Sequence, residues 1–128
     1  MKRFTVSLDI VASKGVTGSE LARSFGLAAS AFTCRRTEEK NYWRYEPTAD
    51  EGMTLVDRIT LIASALHPED PPIRFGTSII DVGLIVGVFY DTANCSICFP
   101  ARLLDSLILK IPEVDVEIVC YPVCEQDE

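Results

Sequence analysis

Phe4-Thr5-Val6-Ser7-Leu8-Asp9-Ile10-Val11 is the stretch on which the fold turns. Phe4, Val6, Leu8 and Ile10 alternate with Thr5, Ser7 and Asp9, and a period of two places the two sets on opposite sides of an extended chain. One side is apolar and the other polar, so the segment reads as a strand covered on one face only. Asp9 also breaks the apolar run too early for an export-signal core, although Lys2 and Arg3 precede it.

Working outward, Lys14-Gly15 ends the strand and Thr17-Gly18-Ser19-Glu20 offers a helix cap, with Leu21 and Phe25 on one face and Gly26 placed to stop the helix in the left-handed conformation. Ala28 to Lys40 reads as an exposed hairpin or loop around the cluster Arg35-Arg36-Thr37-Glu38-Glu39-Lys40. Tyr42-Trp43-Arg44-Tyr45-Glu46 is expected to be a strand ending before Pro47, with Trp43 facing away from Tyr42 and Tyr45. Thr54 and Asp57 form a second capping signature. Leu55, Ile59, Ile62 and Leu66 then mark one face of a helix that stops at His67-Pro68.

Glu69-Asp70-Pro71-Pro72 is a stiff connector. Ile79 to Tyr90 and Cys95 to Phe99 are expected to pair as a hairpin across Asp91-Thr92-Ala93-Asn94. Pro100 suits the first turn of a third helix whose buried side is Leu103, Leu104, Leu107, Ile108 and Ile111. In the final strand Val114, Val116, Ile118 and Cys120 face one way and Asp115, Glu117 and Val119 the other. The order predicts one α+β domain over residues 1–128, a mostly antiparallel sheet with about three helices packed on one face.

Composition narrows the function classes. The chain has 128 residues, 48% apolar and 24% charged, enough for one core. Its net charge of -7 argues against nucleic acid or anionic lipid as the main partner and would attract a basic one. The longest apolar run, Val82 to Tyr90, is about half the length of a membrane-spanning helix. The odd count of five cysteines favours free thiols in a reducing cytoplasm.

Several of these residues resemble a known pattern. Phe4-Thr5-Val6-Ser7-Leu8, Phe25-Gly26-Leu27, Trp43-Arg44-Tyr45, Leu66-His67-Pro68 and Ile118-Val119-Cys120-Tyr121, in this order, resemble a bacterial domain-of-unknown-function family, the one numbered forty-two seventy-nine. The resemblance implies a small cytoplasmic α+β protein. Proteins of this sort look like the antitoxin-type immunity proteins coded beside bacterial toxins, which implies a cognate protein toxin as partner.

Candidate chemistry is sparse. Cys95 and Cys98 have redox-motif spacing, and with Cys120 and Cys124 they could supply four thiolates to zinc; on a strand, however, positions three apart face opposite ways. Cysteine as a small buried hydrophobe is the favoured reading, with metal and redox roles open beside it. His67 is the single histidine, without an evident nucleophile partner, and its ring is expected to meet the C-terminal carbonyls of the second helix. No catalytic pair, cofactor or metal is therefore expected. The candidate partner-binding residues are the loop acids Glu38, Glu39, Asp50, Glu51, Glu69 and Asp70 and the aromatics Tyr42, Trp43 and Tyr45. A non-catalytic binding protein of the immunity type is the leading expectation, and a small-molecule- or metal-responsive accessory domain the alternative. Oligomeric state is left open.

Overall fold

Five strands run in the order β2-β3-β1-β4-β5 across one sheet. The structure, a computed structural model, describes residues 2–48, 52–67, 73–90 and 97–123. In chain order these form β1 (Lys2–Ser13), α1 (Gly18–Phe25), β2 (Phe32–Arg36), β3 (Lys40–Tyr45), α2 (Leu55–Ala65), β4 (Ile79–Tyr90), α3 (Asp105–Lys110) and β5 (Asp115–Pro122). The first strand in sequence is the middle strand in space. It pairs antiparallel with β3 on one side and β4 on the other, and β5 joins β4 in parallel. The class is the α+β architecture expected, a mostly antiparallel sheet with three helices against it.

Alternation in β1 explains the layering. Val6, Leu8, Ile10 and Ala12 are buried, as are Val82, Leu84, Val86 and Val88 from β4, and these meet the inward residues of the helices in one core. Fully burying a side chain of this kind contributes about 1.5–3 kcal/mol, so the central pair of strands supplies a large part of the favourable burial. No helix among the described residues is long and apolar enough to cross a membrane.

The helix ends follow their caps. Thr17 Oγ1 accepts from Glu20 N at 3.2 Å, and Thr54 and Asp57 form a reciprocal capping box. Gly26 adopts φ 69° at the end of α1, where the His67 carbonyl approaches so closely that no Cβ could fit. In the same contact the His67 backbone N–H donates to Phe25 O at 3.0 Å, tying the ends of α1 and α2 together.

Three expectations change, and one of two alternatives is selected. Of the hairpin or loop expected before Lys40 the hairpin forms: β2 pairs antiparallel with β3, and its Phe32 packs edge-on against Phe25 and Trp43 at 6.2 and 6.3 Å between ring centres. That aromatic contact draws the polar residues around it into a strand. The expected hairpin after β4 is absent over Ile97–Phe99, which is not a strand; residues 91–96 lie outside the described set. With β1 on one edge of β4 and β5 on the other, no edge is left for such a partner. The third helix begins at Pro100 as a 3-10 turn, Ala101–Leu104, before α3. Its inward side is Leu107 and Ile111, with Leu103 and Leu104 partly buried against the core as expected, but Ile108 is exposed. Finally, the alternating faces of β5 are as expected, but neither is covered: Val116 and Ile118 remain 41% and 45% exposed.

A register shift between Val11 and Ala12 sets Val11 opposite Asp81 and Ala12 opposite Ile79. Ile80 is the extra residue, exposed while Ile79 stays in the core. The bulge thereby lets two successive isoleucines sit at the end of a strand with only one of them buried.

Candidate partner-binding surface

The sheet face opposite the helices is built from the polar halves of the alternating strands. Asp9 on β1 stands directly across from Arg44 on β3. Arg44 donates from Nε to Asp9 Oδ1 at 3.1 Å and from Nη2 to Asp9 Oδ2 at 3.0 Å, a two-pronged pair that the planar guanidinium is shaped to make. This hydrogen bond holds the guanidinium further above its ordinary pKa. The Ser7 hydroxyl donates to Asp9 Oδ1 at 2.9 Å and completes the carboxylate's shell.

Two aromatic and arginine clusters flank that pair. Arg35 on β2 lies 4.9 Å from the centre of the Tyr42 ring. Arg3 lies 4.7 Å from the Phe89 ring, whose other neighbour, Tyr121 on β5, stacks on it at 4.8 Å with 16° between planes. Gly87 makes room beneath them, because a Cβ there would run into Thr5 Oγ1 and come within 3.6 Å of Tyr121. Around Asp9, Thr33, Arg35, Tyr42 and Arg44 the surface dips into an open concavity of about 380 Å³.

The far side of the same face is acidic. Asp115 stands opposite Gly83, two residues from Asp81, and Glu117 follows on the same side of β5. Burial first, and then a hydrogen bond and charge repulsion from Asp115, raise the Asp81 carboxyl above its ordinary pKa. The face is thus polarised: Arg35 and Arg44 lie toward β2 and β3 and Asp81, Asp115 and Glu117 toward β4 and β5, with Arg3 of β1 over Phe89 at the other end of the central strands.

The residues expected to bind a partner divide sharply. Tyr42 is exposed on the open face. Trp43 and Tyr45 are buried, at 7% and 8% exposure, on the helix side. Tyr45 shares the face of Trp43 and not that of Tyr42, because positions two apart on a strand point the same way. Trp43 packs 3.5 Å from the Cβ position of Gly18, Tyr45 lies 6.2 Å from Phe32, and burial raises the Tyr45 hydroxyl pKa. Neither ring is available to a partner. Glu38 and Glu39 are exposed in the β2–β3 turn, which the Thr37 hydroxyl closes by donating to Lys40 O at 2.7 Å. Asp50, Glu51, Glu69 and Asp70 lie outside the described residues.

The cysteines and the histidine also depart from expectation. Cys34, Cys98 and Cys120 are free and exposed instead of buried, since β2 and β5 are the sheet edges and Cys98 belongs to the connection between β4 and β5. Cys95 and Cys124 lie outside the described residues. Among the described residues no group of three or more His, Cys, Asp or Glu is arranged to hold a metal ion. His67 is exposed, and its backbone, not its ring, makes the contact at the end of α1.

Sequence reading missed the Asp9–Arg44 and Asp81–Asp115 pairs because each is made by register between distant strands. A signal was present for the first: Asp9 and Arg44 both fall in the polar phase of their strands. Compared with known proteins, the chain matches no family model, no curated protein and no solved structure.

Proposed function

We propose that this protein is a non-catalytic binding protein of the immunity type, which neutralises a cognate, basic protein toxin through the open face of its sheet. The observation that carries this reading is the pre-ordered, polarised face itself. Its arginines and aromatics are already held by one another, so little side-chain freedom is lost on contact. Tyrosine and arginine are the side chains that most often anchor interfaces. The carboxylates Asp81, Asp115 and Glu117 provide the acidic ground toward which a basic partner is steered. Glu38 and Glu39 contribute less field, being offset by Arg35, Arg36 and Lys40 beside them.

The test is co-expression with the toxin encoded beside this chain's gene, read as cell survival and as binding of the purified pair. Combined Asp115→Lys and Glu117→Lys substitution is expected to slow association by tenfold or more at low salt, on the scale of electrostatic steering. Tyr42→Ala is expected to weaken the complex after association. Full protection by a protein carrying all of these changes, together with Glu38→Lys and Glu39→Lys, would reject the open face as the binding surface.

A further inference from the structure

We propose that β5 is a self-association edge, through which two copies of this chain pair antiparallel and join their sheets into one of ten strands. The two edges of the sheet are built differently. β2 spans only Phe32–Arg36 and ends in two arginines, a short and cationic edge of the kind that resists pairing. β5 spans Asp115–Pro122, has no strand on its outer edge among the described residues, and exposes Val116, Ile118 and Tyr121. A long apolar edge with unpaired backbone groups is a template for another strand.

The phase of those groups is fixed by one hydrogen bond. Val123 donates its N–H to Tyr90 O at 2.7 Å. Backbone groups alternate along a strand, so the odd-numbered residues of β5 turn theirs toward β4 and Val116, Ile118 and Cys120 turn theirs outward. Pro122, which has no N–H, falls in the outward set, where a strand proline is tolerated.

Charge then selects one register. With Ile118 opposite its own copy on the twofold axis, Val116 faces Cys120, Glu117 faces Val119 and Asp115 faces Tyr121. Every outward N–H and C=O of Val116, Ile118 and Cys120 finds a partner, and no carboxylate stands directly opposite another. A slip of one step toward the strand's start sets Glu117 against Glu117, and two steps set it against Asp115. A slip the other way sets Val116 against Pro122 and forfeits hydrogen bonds. On the helix side of the joined sheet Val116 and Ile118 of both copies then cover one another. A single strand edge is a small contact, so the dimer belongs to the concentration-dependent class.

Sedimentation of the full chain under reducing conditions, followed from micromolar toward millimolar concentration, reads the association directly. Its mass is expected to double. Over the same range, amide hydrogen exchange is expected to slow at Val116, Ile118 and Cys120 and to stay unchanged at Glu117 and Val119, whose N–H groups already face β4. Ile118→Lys is expected to keep the chain monomeric. A chain that stays monomeric throughout would overturn the proposal, as would a dimer that survives Ile118→Lys or yields to Leu109→Lys alone. Should Ile118→Lys fail to fold, the exchange pattern of the unaltered chain decides by itself: slowing that spares the three outward amides rejects the β5 edge.

Discussion

Asp81 and Asp115 bring two carboxyls together at the end of the open face, and burial with repulsion raises the Asp81 pKa. A carboxyl with a raised folded pKa holds its proton longer in the native state than in the unfolded chain. Its contribution therefore favours folding most at pH below the ordinary carboxyl range and is lost as pH rises through the raised value. Asp81→Asn keeps an amide able to donate to Asp115 and removes the charge. The variant is expected to melt higher than the parent at neutral pH and to match it near pH 3, as thermal melts across that range would register. An unchanged pH profile would mean that the pair carries no penalty. At this scale the sequence was legible where one residue suffices: Gly26 announced a left-handed helix end, and φ 69° is what the backbone adopts. It was not legible where two strands must first find register, which is why Arg44 and Asp9 went unpaired and Tyr45 was put on the wrong face.

At the scale of elements, capping chemistry placed α1 and α2 because the Thr17–Glu20 and Thr54–Asp57 contacts lie within one turn of chain. The connection after β4 was misread for the opposite reason. A run of apolar residues beyond a turn suits a hairpin equally well in any protein, and only the occupation of both β4 edges by β1 and β5 excludes it here. The junction of α1 with α2 provides the sharpest test. Gly26→Ala would place a methyl group in a left-handed residue, costing about 1–2 kcal/mol, and against the His67 carbonyl, which adds to that cost. The expected result is a fall in chemical denaturation midpoint, with the slope of the transition retained. Gly15→Ala, where nothing lies within 4 Å, is the control and should leave the midpoint nearly unchanged.

At the scale of the molecule, one side of the sheet makes the core and the other makes the surface through which we propose the protein acts. That division was readable from β1 alone, since a strand alternating so cleanly must have a wet face. The polarisation of that face was not readable, because Arg35 and Arg44 come from β2 and β3 and the carboxylates Asp81, Asp115 and Glu117 from β4 and β5, set on opposite sides of β1 only by the strand order.

The central position of β1 also governs how the chain can fold as it is made. Lys2 pairs with Tyr90 and Ala12 with Ile79, so the central strand leaves the ribosome long before the partner that covers its second edge. The β2–β3 hairpin is local, but closing β1 onto β4 requires joining distant parts of the chain, and contacts of that kind slow folding. A fragment comprising residues 1–78 is accordingly expected to lack cooperative thermal unfolding and to bind a hydrophobic dye, whereas the whole chain is expected to melt cooperatively and to leave the dye unbound. During synthesis the first strand is thus an early debt of exposed apolar surface, and the burst of folding should coincide with the emergence of Ile79–Tyr90.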